Sequence, residues 1–187
     1  MPLAPSPKLK ASMFGRMPVG GDKPRGKDGL PAYAGPRGAR TEHRIGVQAP
    51  AEVIWEIVAD VDAWPSWCAL YPQARGTLRI GAPLDLTAQL PGMDPAAAPA
   101  KVIEWVPNEQ LHFQIRLARG LALATRYIEI EQLAAESCVV SNGEILGGLL
   151  GPSIARRLGS RPARAFRAMN EALKARAEAR WAAAKAS

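Results

Sequence analysis

A chain of 187 residues has room for one domain and a tail, and a hydrophobic share of 48% is enough to bury a core. Its net charge of +7 is unevenly divided, at +6 over residues 1 to 40, −6 over 41 to 155 and +7 over 156 to 187, so the central body is acidic and does not read as a nucleic-acid binder. Two cysteines, Cys68 and Cys138, are too few for a disulfide framework, and neither a membrane span nor an apolar leader is visible, so a cytoplasmic protein with reduced, buried cysteines is expected.

Residues 1 to 40 hold seven Pro and seven Gly among scattered Lys and Arg, without helix or strand period. Such a segment cannot bury enough apolar surface to offset chain entropy, and it reads as a disordered, solvated tail. Order is expected from Thr41. His43, Ile45 and Val47 alternate with polar neighbours and Gly46, the period of a half-buried strand. Pro50 then suits a first helical turn, and Val53, Ile54, Ile57 and Val58 fall on one helical stripe. A second short helix is expected in DVDAWPSWCALYP, with Asp60 and Asp62 as caps and Pro65 as a breaker.

Between Gly76 and Leu133 strands alternate with turn residues: GTLRIG, PLDLTAQL, AKVIEWV, QLHFQIRL and ALATRYIEIEQL. PGMDPAAAP reads as a loop, and Pro107-Asn108 and the neighbourhood of Gly120 read as turns. A last strand, SCVVSNGEIL, follows a tight connection at Ala134 to Glu136. GPSIARRLGSRP reads as a helical turn interrupted at Gly159 and Pro162. From Pro162 onward Phe166, Met169, Asn170, Leu173, Ala177 and Trp181 recur every three or four residues, which predicts one long amphipathic helix.

Strand, two short helices, a meander of strands and a long final helix make an α+β layout. The segments VQAPAEVIWEIVADVDAWPSW, GTLRIGAPL, VIEWVPNEQLHF, RYIEIE, NGEILGGLL and FRAMNEALKARAE, in this order, resemble the SRPBCC (Bet v 1/START-like) superfamily, especially its polyketide cyclase/dehydrase-like members. The resemblance covers about residues 41 to 180 and places a domain at 41 to 184. It implies a helix-grip fold, with a seven-stranded antiparallel sheet wrapped around the last helix and a mostly apolar cavity between them. Members of the superfamily include lipid carriers, hormone receptors, aromatases and cyclases.

Several chemistries find no support in the residues. His43 and His112 are isolated and the cysteines far apart, so no metal site is expected. The glycine pairs Gly20-Gly21 and Gly147-Gly148 lack the spacing of a phosphate loop, and no serine sits in a nucleophile elbow. No cofactor is expected.

The informative feature is the last hairpin. Closed at Ala134 to Glu136, it pairs residues whose numbers sum to a constant, setting Ile130 opposite Val140, Ile128 opposite Asn142 and Arg126 opposite Glu144 on one face. That face also carries Leu146 and is expected to be the inner one, with Arg126 and Glu144 as a charge-assisted pair in an apolar wall. Arg126, Asn142 and Glu144 are therefore the candidate polar contacts of a ligand, with Ile128, Phe113, Met169 and Leu173 as apolar lining. Trp64, Trp67 and Tyr71 read either as a lid over the entrance or as packing of the short helices. His43 shares the parity of Ile45 and Val47 but reads as a surface residue, and His112, opposite in parity to Leu111, Phe113, Ile115 and Leu117, is set aside as a catalytic base.

Two functions are compatible with these residues. The first is binding or carriage of a small hydrophobic or aromatic molecule by a monomer or weak homodimer. The second is a cofactor-independent cyclase, dehydratase or isomerase in which Glu144 is the general base and Arg126 stabilises an oxyanion. Nucleic acid is not an expected partner.

Overall fold

The computed structural model describes residues 38–186. Of the tail expected over 1 to 40, residues 1 to 37 lie outside the described residues. Ala39 and Arg40 belong instead to the first strand, β1 (Ala39–Val47), where they pair with Leu146 and Ile145. Then come helix α1 (Ala51–Ala59), a 3₁₀ helix (Val61–Ser66), and strands β2 (Gln73–Gly76), β3 (Pro83–Ala88), β4 (Ala96–Ala97), β5 (Ala100–Val106), β6 (Gln110–Leu117), β7 (Ala122–Ala134) and β8 (Ser137–Gly147). Helices α2 (Gly151–Leu158) and α3 (Arg161–Ala186) close the chain.

The strands form one antiparallel sheet in the order β1-β8-β7-β6-β5-β3-β2, with β4 paired to β3. Ala96 and Ala97, expected within a loop, add this eighth strand to the seven expected. β2 also differs from expectation. Leu78 and Ile80 suggested a strand over GTLRIG, but the strand ends where that segment begins. Its pairing runs from Gln73 opposite Thr87 to Gly76 opposite Leu84, and the Gly76 N–H turns to the Asp62 carboxylate at 3.0 Å. Ile80 is left 65% exposed in the following turn.

At the first helix Pro50 is the N-cap rather than part of the first turn, and Ile54, Trp55, Ile57 and Val58 are buried. Asp60 caps the 3₁₀ helix by accepting from Ala63 N at 3.3 Å, and Pro65 lies inside that helix rather than ending it. The β7–β8 hairpin has the expected register, with Arg126 opposite Glu144, Ile128 opposite Asn142 and Ile130 opposite Val140. Helix α3 lies across the inner face of the sheet and buries Pro162, Ala165, Phe166, Met169, Asn170, Leu173 and Ala177. Both cysteines are buried and free.

Two glycines permit close approaches. A Cβ on Gly148, whose φ is +86°, would meet the Leu121 carbonyl oxygen at 2.7 Å, so this residue lets the β8–α2 link abut the β6–β7 turn. A Cβ on Gly143 would collide with the Tyr127 hydroxyl, because the Tyr127 ring lies across Gly143 on the outer face to reach Glu42 on β1.

Candidate functional site

The inner face of β7 and β8 is apolar at Ile128, Ile130, Val140 and Leu146, all buried. Arg126 stands among them at 3% exposure. The hairpin register fixes where its Cα sits, but the expected pair with Glu144 does not form: among the described residues, no carboxylate lies within salt-bridge distance of Arg126. The guanidinium turns along the hairpin instead. Its Nη2 donates to Asn142 Oδ1 at 3.0 Å, and its carbon lies 3.8 Å from the ring centre of Phe166 and 5.8 Å from that of Tyr71. Ring faces attract a desolvated cation and take over part of the role expected of the carboxylate.

Glu144 is half-buried, opposite Arg126 on one side and Thr41 on the other. Burial pushes its carboxyl above the usual range, and the Arg126 charge draws it part of the way back.

The polar array continues onto β1 and α3. Across the β1–β8 ladder, Asn142 faces His43. From α3, fully buried Asn170 donates from Nδ2 to the His43 carbonyl at 2.9 Å and lies 3.1 Å from His43 Nδ1. Three atoms of this array are buried without a hydrogen-bond partner: Arg126 Nε, Asn142 Nδ2 and Asn170 Oδ1. Two are donors and one is an acceptor, each costing of the order of 1–3 kcal/mol while unmet. Asn170 escaped the sequence reading because it was counted within the apolar stripe of the last helix. Its polarity at a core position was the available signal.

The aromatic residues expected as a lid or as packing are buried to different degrees. Trp64 and Tyr71 are almost fully buried, and with Phe113 they form one cluster with ring centres 5.3 to 6.3 Å apart. Burial raises the Tyr71 phenol well above its ordinary range. Trp67 is half-buried beside this cluster. Met169 and Leu173 are buried in the same core from α3. A cleft of about 300 Å³ lies elsewhere, between the 3₁₀ helix and the β2 edge, and is lined by Pro65, Pro72, Arg75 and Asp85 among others.

His112 belongs to the outer face. It is buried between Glu104, at 3.3 Å from Nδ1, and Glu129, at 3.1 Å from Nε2, and stands edge-on to Tyr127. Tyr127 donates to Glu42 at 2.7 Å and accepts from Arg40 Nε at 3.1 Å. Sequence parity separated His112 from the interior, but the carboxylates that enclose it come from neighbouring strands and were not foreseen.

Residues 38–178 match the family model described as polyketide cyclase/dehydrase and lipid transport. The chain belongs to that family. Solved structures with the same fold as this polyketide cyclase/dehydrase and lipid transport domain include the Zhui aromatase/cyclase from Streptomyces sp. R1128, at 19% identity and a TM-score of 0.62 over 77% of this chain and 96% of that one. Norcoclaurine synthase from Thalictrum flavum aligns at 19% identity and a TM-score of 0.57 over 76% and 95%, and a START superfamily protein from Mycobacterium smegmatis at 18% and 0.55 over 76% and 97%. At these identities the likeness establishes the helix-grip fold of the family member. No curated protein matches the sequence. Among the described residues no metal-binding cluster and no helix able to cross a membrane are present.

Proposed function

We propose that the domain binds a small, largely apolar molecule carrying oxygen functions, between the sheet and α3. The observation that carries this reading is the set of unmet polar atoms on Arg126, Asn142 and Asn170, buried in an otherwise apolar interior. A buried cation with no carboxylate partner is costly, and a site that must hold an oxygen is a reason to retain one. A ligand oxygen accepting from Arg126 Nε and Asn142 Nδ2, with a hydroxyl donating to Asn170 Oδ1, would satisfy all three. Phe166 stacks on the guanidinium, so such a ligand enters by displacing or sliding past that ring. The family's description, which includes lipid transport, supports the same reading.

Native mass spectrometry of the freshly purified full-length chain tests it. A retained small molecule is expected, because a dry apolar site holds what fits it. Arg126→Met should release it. Retention unaffected by that change would remove Arg126 from the site and end the proposal.

A second reading, turnover of the ligand by a cyclase- or dehydratase-type reaction, has one observation in its favour. Glu144 is not locked to Arg126, and burial holds its carboxyl high, as suits a general base or acid. Arg126 would then stabilise an enolate oxygen. Deuterium uptake from solvent at a carbon of the bound molecule, abolished by Glu144→Gln, would distinguish turnover from carriage.

A further inference from the structure

We infer that one end of the domain, built from the β6–β7 turn, the β8–α2 link and α2, docks on an anionic membrane surface. Two exposed leucines mark its centre. Leu149 is 82% exposed and Leu121 50%, and they lie on abutting turns, since Leu150 N donates to the Leu121 carbonyl at 3.1 Å. Leucines this exposed on touching loops are an apolar projection with no partner among the described residues.

The surrounding charge has one sign. No Asp or Glu occurs between Glu109 and Glu129 or between Glu144 and Glu171, the stretches that supply this end. Those stretches carry Arg116, Arg119, Arg156, Arg157 and Arg164, all exposed. Among the described residues none of these five is ion-paired. The short helix α2 turns Ile154 and Ala155 to the core and Arg156 and Arg157 outward.

The turn itself is strained, with Ala118 and Arg119 consecutively in the left-handed region at φ +48° and +56°. Backbone strain of this kind is retained where a side chain must be presented in a fixed direction.

Exposed leucines on abutting turns, in stretches whose exposed arginines are not ion-paired among the described residues, match a bilayer interface. Leucines enter the acyl boundary while guanidinium groups pair with lipid phosphates. A nucleic-acid surface would match the charge but not the leucines, and among the described residues the patch offers no aromatic ring for base stacking.

Co-sedimentation of the full chain with vesicles of phosphatidylcholine alone, or with a minor fraction of phosphatidylglycerol, tests the inference at low salt. Binding to the phosphatidylglycerol vesicles alone is expected. Arg156→Gln and Arg157→Gln should each weaken it by about fivefold, and Leu149→Ser should weaken it without changing the charge. These are surface positions, so melting temperatures should not move. Failure to bind phosphatidylglycerol vesicles would overturn the proposal. So would binding undiminished in the variants, which would assign it to basic residues elsewhere, or duplex DNA binding that needs the arginines but not Leu149.

Discussion

Arg126 and Glu144 face each other across the β7–β8 ladder yet form no ion pair, because the guanidinium has turned to Asn142 and to the ring of Phe166. The carboxylate is therefore left half-buried with only distant compensation. Its pKa is raised in the folded state, so the protonated form is favoured there, and its contribution to stability is full below the unfolded value of about 4.3 and lost as pH rises through the higher folded one. Glu144→Gln should thus raise the melting temperature at neutral pH by a few degrees, with the gain vanishing near pH 4. A gain independent of pH would show that the carboxylate's ionisation is not the cause.

Replacing the buried polar pair by apolar residues should separate function from stability. The double variant Arg126→Met, Asn142→Leu removes a desolvated charge and its acceptor together, so it is expected to be as stable as the wild type or more so, by about 1–3 kcal/mol. Arg126→Met alone leaves Asn142 Oδ1 without its donor and should gain less. Urea titrations beside native mass spectra check both, with ligand retention lost in each.

Asn170 fastens α3 to β1 through the carbonyl and ring of His43. Asn170→Leu should cost about 1–3 kcal/mol, since the His43 carbonyl loses that donor. Leu173→Ala, at a buried apolar position on the same helix, should cost about 2–5 kcal/mol through the cavity it leaves. Equilibrium unfolding of the two variants would show whether the polar clip is the weaker hold.

On the outer face, Gly143→Ala drives a methyl group into the Tyr127 ring and should cost about 1–3 kcal/mol. In a Tyr127→Ala background the same change should cost less, with the close approach of the new Cβ to the Thr41 carbonyl oxygen at 2.7 Å remaining. A double-mutant cycle with no coupling would show that the ring does not lie across Gly143 in solution.

Period-two alternation and a short turn made the β7–β8 pairing legible from the sequence, down to which residues oppose each other. The rotamer of Arg126 was not legible, because register places Cα atoms while the side chain answers to Phe166, forty residues on, and to Tyr71 from the segment after the 3₁₀ helix. The same limit explains the misplaced second strand. Leu78 and Ile80 alternate convincingly, but the partner β3 and the Asp62 carboxylate decide where pairing stops. His112 shows it once more, since Glu104 and Glu129 reach it only after β5 and β7 flank β6.

Among the described residues strand β1 pairs with β8 alone, Ala39 meeting Leu146, so it waits for the last strand of the sheet to be synthesised. Until then its hydrogen-bonding edge and the apolar side chain of Val47 are unshielded, and the nascent chain depends on slow, distant closure rather than stepwise zipping.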